Sequence, residues 1–115
     1  MKKIYFILFI TLSLTVSSLA QQISCKGVNT PDARFIIDDD TIILSESAGS
    51  MTFDKSWTMS KSVHKGKIKT KFGGNKRTME LQIDTKRGEA QLTTIDYYTS
   101  TSDEVYVRNY NNCKK

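Results

Sequence analysis

Residues 79–92, MELQIDTKRGEAQL, carry the pattern that decides the fold of this 115-residue chain. Apolar Met, Leu and Ile alternate with polar residues from 79 to 83, which is the period of a strand with one buried face. The TKRG that follows supplies a tight turn, because Gly88 is free to adopt a positive φ. An apolar face resumes at Ala90 and Leu92. The stretch therefore predicts a β-hairpin within an architecture built from hairpins.

Turn signals recur at short intervals on both sides of this hairpin, as they do in all-β chains. Apolar runs at 33–37 and 41–44 flank three aspartates, and residues 104–110 form a last strand. The pattern predicts about eight antiparallel strands with short connections. We predict an all-β domain folded as a small up-and-down, lipocalin-like barrel or meander, and a two-sheet sandwich is the alternative.

Some of the predicted strands are irregular. Residues 51–63 alternate with period two, but lysines interrupt the apolar positions, so we predict one strand with a bend at 54–56. The alternation changes phase at Gly66, which predicts a turn or a bulge there. It slips again near Thr93 and Thr94, which predicts a second bulge.

The start of the chain has the features of a secretory signal peptide. Two lysines precede an apolar run at 4–16, and small residues then suit the −3 and −1 positions of a cleavage site. The run is shorter than the roughly 20 apolar residues of a bilayer-spanning helix. We predict that residues 1–20 are a cleaved signal peptide, that residues 21–115 form a single β domain, and that no membrane span remains after cleavage.

The two cysteines, Cys25 and Cys113, lie near opposite ends of the predicted domain. An even count in an exported chain predicts one disulfide, which here ties the termini together. Lipidation of Cys25 is an alternative, although lipoprotein signals usually carry leucine where this chain has Gln22. Free thiols are a further alternative that an oxidising compartment disfavours. We predict a periplasmic or secreted protein with a Cys25–Cys113 bridge.

The sequence offers little catalytic chemistry. The one histidine, His64, lies among lysines without an identifiable partner for acid–base or metal chemistry. Asp38, Asp39 and Asp40 lack the spaced oxygens and glycine of a calcium loop, so they are predicted to form a hairpin tip. No nucleophile elbow, zinc-protease motif or phosphate-binding loop occurs. We expect no enzyme, no cofactor and no metal site.

Positive charge is concentrated in one segment. Removing residues 1–20 leaves 15 basic and 12 acidic residues, a formal charge of +3, yet residues 55–79 contain no acid. Lys65, Lys67, Lys69 and Lys71 recur at every second position, which on a strand projects four ammonium groups from one face about 6–7 Å apart. This lysine ladder suits an anionic ligand such as an acidic envelope glycan. Few aromatic residues interleave with it, which argues against nucleic acid.

The alternative for the ladder is structural, since lysines also protect the edge of a sheet from pairing with another chain. The tyrosines likewise have both a functional and a structural interpretation. Tyrosine is common at recognition surfaces and is also a favoured strand residue. Four of the five tyrosines lie in the last predicted strands: Tyr97, Tyr98, Tyr106 and Tyr110.

The layout resembles that of small secreted or periplasmic bacterial β-barrel proteins, with an early Cys25, a hairpin at 83–88 and a late Cys113. Among these it is similar to the lipocalin-like periplasmic inhibitors of C-type lysozyme. That resemblance implies a small-residue loop that enters the lysozyme cleft, and the comparable stretch is SESAGS at 45–50. The aromatic residue expected after the glycine is absent, and a +3 protein repels a cationic enzyme at long range.

The sequence thus predicts a secreted or periplasmic, non-enzymatic binding protein of unidentified partner. The first hypothesis is an anion-binding surface formed by the lysine ladder. The second is a protein inhibitor that acts on a protein partner through residues 45–50.

Overall fold

The computed structural model describes residues 20–99 and 101–115, so the predicted signal peptide lies outside the described residues apart from Ala20. Each strand pairs antiparallel with the next, and the eighth pairs with the first to close a barrel. This confirms the predicted up-and-down barrel over the sandwich. The strands are β1 (Gln21–Gly27), β2 (Ala33–Ile37), β3 (Thr41–Glu46), β4 (Gly49–Ser56), β5 (Val63–Phe72), β6 (Asn75–Asp84), β7 (Glu89–Tyr97) and β8 (Glu104–Lys114).

The predicted central hairpin is confirmed as β6 and β7. Ile83 lies opposite Ala90 and Leu81 lies opposite Leu92, so the apolar residues of both strands share the inner face. Gly88 has a φ of 69°, and its N–H donates to the Asp84 carbonyl at 2.9 Å. A residue with a Cβ is strained at this φ, which explains the glycine.

The core fills the barrel interior with side chains from seven of the eight strands. Phe35 and Tyr110 meet edge to face, with ring centroids 5.5 Å apart. The largest fully buried residues are Ile23, Phe35, Ile42, Leu44, Phe53, Leu81, Ile83, Leu92 and Tyr110. Strand β5 contributes little apolar volume because Gly66 occupies its buried position.

The predicted disulfide between Cys25 and Cys113 is present and joins β1 to β8. These strands form the closing seam of the barrel, where the register shifts between Ser24 and Lys26. The bridge spans 88 positions. In the chain-entropy account, closing a loop of this length stabilises the folded state by about 4–5 kcal/mol. A structural disulfide also indicates an oxidising compartment.

The prediction of one bent strand across residues 51–63 is wrong. Strand β4 ends at Ser56, and a loop follows in which Trp57 is 85% and Met59 is 90% exposed. The Thr58 hydroxyl can donate to the Val63 carbonyl at 2.7 Å, which stabilises the loop locally. Apolar residues at odd positions continued the alternation through this loop, so the pattern alone did not reveal the end of the strand.

The bulge predicted at Gly66 is also absent, because the change of phase occurs in the preceding loop. Gly66 lies within β5 and pairs with Lys55 of β4. A Cβ at this position would lie 2.8 Å from the Phe53 Cβ and 3.4 Å from a methyl group of Ile42. Glycine is therefore needed because the β4–β5 seam packs its backbone directly against the core.

The second predicted bulge, near Thr93 and Thr94, does not occur either. Pairing of β7 with β6 and β8 runs without a break. Thr94 and Asp96 continue the buried face of β7 beyond Leu92, with exposures of only 8% and 3%. The apolar alternation stops after Leu92 because the inner face changes there from apolar to polar residues.

At one end of the barrel, strands β5 to β8 extend beyond the other four strands, so β5 and β8 have no outer partner there. Strand β4 pairs with β5 only at its last three residues, and the β1–β8 register ends at Gly27 and Tyr110. Strands β5 to β8 continue to pair with one another beyond these points. We call residues 68–78, 94–97 and 104–108 the four-stranded extension. The remainder of the barrel is the closed half.

Candidate functional site

All four lysines of the predicted ladder lie on the outer face of β5. The buried Gly66 and half-buried Ile68 define the inner face of the strand, and the lysines alternate with them. Each of the four residues is exposed. The structure therefore brings together Lys65, Lys67, Lys69 and Lys71 as one row.

The neighbouring strand β6 changes the charge of this row from one end to the other. The Lys67 ammonium lies 3.5 Å from the Glu80 carboxylate, so this lysine is partly neutralised. Lys71 lies opposite Lys76, which adds a further cation to the outer face. Lys65 lies opposite Gln82 and Lys69 lies opposite Thr78, so neither faces an acid. Positive charge is thus concentrated in a cationic cluster formed by Lys69, Lys71 and Lys76.

Sequence reasoning missed Lys76 as a member of this surface. The turn at Gly73 and Gly74 is only two residues long, so Lys71 and Lys76 become cross-strand neighbours. Both glycines have positive φ, as a two-residue hairpin turn requires. The glycine pair was the available signal, because a two-residue turn sets the register of the strands that it joins.

The cationic cluster borders an open groove of about 1050 Å³. Its lining comes mostly from β5 and β6, and Tyr97 of β7 completes it. Tyr97 lies opposite Lys76 and is 39% exposed. The groove therefore combines ammonium groups with one aromatic ring, and the carboxylate of Glu80 lies at its Lys67 end.

The lysines also lie beside a strand edge. Among the described strands, β4 pairs with β5 only as far as Lys67, so the backbone next to Lys69 and Lys71 has no strand partner on that side. This placement is the one expected of lysines that prevent pairing with another chain. Both edge protection and anion binding explain lysines at these positions, so the positions alone do not distinguish the two roles. A binding measurement does.

The inner face of the extension contains a closed ion pair. The Arg77 guanidinium donates two hydrogen bonds to the Asp96 carboxylate, at 2.6 and 2.8 Å. These bonds lower the pKa of Asp96 and raise that of Arg77. The Arg77 guanidinium also lies 3.9 Å from the centre of the Phe72 ring. Arg77 is therefore committed to the protein and is not a free cation of the site.

The four tyrosines do not form one surface. Tyr97 faces outward and Tyr110 is buried in the core. Tyr106 lies on the inner face and donates a hydrogen bond to Glu104, which raises its pKa to about 12. Desolvation raises the pKa of Tyr98. Only Tyr97 adjoins the cationic cluster.

His64 lies within β5, and it is half-buried. Desolvation, aided by the charge of Lys55, lowers its pKa, so it is neutral at pH 7.

Within the described ranges, no group of three metal-binding side chains comes together. In that same part of the chain, no helix has the length and apolar character to cross a membrane.

The stretch at 45–50 is a tight hairpin rather than a long loop. Strand β3 continues to Glu46 and β4 begins at Gly49, which leaves Ser47 and Ala48 between them. The Arg108 guanidinium of β8 lies 3.3 Å from the Glu46 carboxylate, and this ion pair restrains the hairpin from the other side of the barrel.

The three aspartates join β2 to β3, which confirms the predicted hairpin tip.

The geometry defines a class of protein: a small up-and-down barrel of eight strands closed by a terminal disulfide, with a row of lysines on its outer face. Comparisons with protein-family models, curated proteins and solved structures found no match. Any function must therefore be argued from the surfaces of this chain.

Proposed function

We propose that this chain is an exported, non-enzymatic binding protein whose outer β5–β6 surface binds an anionic ligand such as an acidic envelope glycan. Both the disulfide and the predicted signal peptide support a periplasmic or secreted location. The cationic cluster is the binding surface, and Lys65 extends it along β5. The ligand contributes phosphate, sulfate or carboxylate groups.

One observation supports this proposal most directly. Lys69, Lys71 and Lys76 lie on one face of two adjacent strands, and their cross-strand neighbours are threonine, lysine and tyrosine. Neighbouring cations repel one another, so this arrangement is destabilising unless salt or a ligand supplies negative charge. A polyanion with repeated charges matches the roughly 6–7 Å spacing of alternate strand residues.

The protein-inhibitor hypothesis has less support. A two-residue tip at Ser47 and Ala48 gives little length for entering an enzyme cleft, and Arg108 restrains the hairpin at Glu46. The anion-binding surface therefore remains the first proposal. Assays with several C-type lysozymes at micromolar protein test the second one, and unchanged lysozyme activity would remove it.

Chromatography on heparin, compared with a cation-exchange resin of equal charge density, tests the proposal. The oxidised chain 21–115 contains all eight strands and the disulfide. The test variant replaces Lys69, Lys71 and Lys76 by glutamine. The matched control replaces three exposed lysines elsewhere: Lys26, Lys86 and Lys115.

We expect the unaltered protein to elute from heparin at higher salt than from the resin. The test variant loses this difference, whereas the control variant keeps it, since both have lost three charges but only one has lost the cluster. Equal elution from both columns, or equal effects of the two variants, would contradict the proposal. Retention would then reflect bulk charge alone, and the lysines would serve edge protection.

A further inference from the structure

We infer that the outer face of the four-stranded extension docks on the surface of an anionic lipid bilayer. This inference rests on the proposed anion binding and assigns its source: the anions are lipid headgroups, and an apolar strip beside the lysines enters the bilayer interface.

Exposed apolar side chains are concentrated in the extension. Of the eight exposed large hydrophobic residues in the described part of the chain, five lie there, and three of these five face outward. Val105 is 59% and Val107 is 49% exposed on the outer face of β8. Ile95 lies opposite Val105, and Tyr97 continues the same face of β7. We call Ile95, Tyr97, Val105 and Val107 the apolar strip.

The strand register makes the apolar strip continuous with the cationic cluster. Lys71, Lys76 and Tyr97 form one cross-strand row. A second row runs from Lys69 through Thr78 and Ile95 to Val105. Along these two rows, the outer face passes from ammonium groups to Tyr97 and Val105 without an intervening acid. The next row, which ends at Val107, contains Glu80, and this carboxylate is paired with Lys67.

The acids of the extension lie on its other face. Asp96 is buried against Arg77, and Glu104 lies opposite Asp96 and accepts a hydrogen bond from Tyr106. Arg77 compensates the charge of Asp96, and the charge of Glu104 lies on the inner side, away from the lysines. The outer face presents uncompensated positive charge next to apolar area, which is the combination that binds anionic interfaces.

Charge complementarity requires an anionic occupant, and the apolar strip beside the lysines favours a bilayer over a soluble glycan. A glycan neutralises the lysines but leaves the two valines in water. At a bilayer, the lysines reach the anionic headgroups, Tyr97 occupies the interface that tyrosine favours, and the valines enter the acyl boundary. A bilayer therefore accounts for both halves of the surface.

Another exposed apolar pair lies far from this surface. Trp57 and Met59 occupy the loop before β5, and Thr85 donates a hydrogen bond to Ser62 of that loop. The cationic cluster lies near the opposite end of β5, a strand of 10 residues that spans roughly 30 Å. Since Trp57 is the single tryptophan of the chain, its fluorescence reports which end contacts lipid.

Vesicle co-sedimentation provides the test. The oxidised chain 21–115 is used, because the apolar segment 4–16 would itself bind lipid. Phosphatidylcholine vesicles are compared with vesicles that contain equal amounts of phosphatidylcholine and phosphatidylglycerol. Val105→Thr with Val107→Thr tests the apolar strip, and the triple lysine-to-glutamine variant tests the cluster. Val28→Thr, at a side chain 51% exposed beyond β1, is the control.

We expect binding to the anionic vesicles alone. The double threonine variant weakens it roughly five- to tenfold, because apolar area no longer enters the interface. The triple glutamine variant weakens it roughly 100-fold, since each lysine near an anionic surface contributes about fivefold. The Val28 control binds normally, and the emission of Trp57 does not shift.

The outcomes separate this inference from the proposed function. Lysine-dependent retention on heparin together with no vesicle binding, or with binding unaffected by the threonine variant, overturns the bilayer inference and leaves the anion site. A blue shift of Trp57 on vesicle binding would also overturn it, because the opposite end of the barrel would be the one in contact. Failure on both heparin and vesicles removes both proposals.

Discussion

The closed half of the barrel and the four-stranded extension are built from the same strands but differ in what covers their inner face. In the closed half, β7 buries Ala90 and Leu92 against the core. Within the extension, the same face of the same strand presents Thr94 and Asp96. On β7, apolar residues are used where eight strands surround the interior, and polar residues follow where the flanking strands have separated.

The polar part of the inner face is stable because its charges are paired. Asp96 is almost fully buried, and an unpaired carboxylate there would be costly. The two hydrogen bonds from Arg77 compensate this cost. In this barrel, therefore, an inward-facing residue is not always apolar and an outward-facing residue is not always polar. In the extension, the valines face outward and the salt bridge faces inward.

The largest expected effect contrasts a core position with an outer position of the extension. Leu81→Ala removes a side chain that is 1% exposed and should lower the free energy of unfolding by about 3 kcal/mol. Val107→Ala removes a side chain that is 49% exposed and should change it by about 0.5 kcal/mol. Urea denaturation of both variants measures the difference. Equal losses would mean that the extension is packed as tightly as the core.

The next effect concerns the seam where the two parts separate. Gly66→Ala places a methyl group within 2.8 Å of the Phe53 Cβ, so β4 and β5 must move apart. We expect a loss of about 1–3 kcal/mol, which is typical of an overpacked core. Lys65→Ala, at the adjacent outward position, is the control. A stability equal to that of the control would show that the seam is loose enough to accept the methyl group.

The smallest effect is a pH dependence within the extension. Because Arg77 lowers the pKa of Asp96 below its usual 3.8, the ion pair stabilises the folded state above that pH. Its contribution is lost as the pH falls below 3.8 and through the lower folded-state value. Asp96→Asn should therefore be less stable than the unaltered protein at pH 7, and the gap should narrow in acid.

Thermal unfolding from pH 7 to pH 2 measures this gap, and Asp103→Asn in the exposed loop serves as the control. A gap that stays constant across this range would show that the carboxylate does not depend on Arg77 for its stabilisation.

The alternation at 79–92 was sufficient to predict the central hairpin, and the spacing of turns was sufficient to predict about eight antiparallel strands. The choice of a barrel over a sandwich was settled only by the pairing of β1 with β8. Both are local patterns, and hairpins are the most local of β contacts. The errors fell where apolar periodicity was misleading. Trp57 and Met59 extended the pattern into a loop, and Thr94 and Asp96 concealed a strand that continues.

Only the part of the candidate surface that lies within one strand was predicted, because only that part depends on a local pattern. The ladder on β5 follows from a period of two within one strand, so its four lysines were visible in the sequence. Lys76 and the apolar strip come from other strands and join the surface through register. A one-residue change of register would send these side chains to the opposite face.

By itself, the sequence determined the strand content, the hairpin connections and the cysteine pair, because these depend on local periodicity, turn residues and an even cysteine count. Only the tertiary structure decided where β4 and β5 separate and why Gly66 lies at that point. It alone also placed the valines of β8 beside the lysines of β5 and β6. These features depend on the approach of strands across the barrel, which no local pattern specifies.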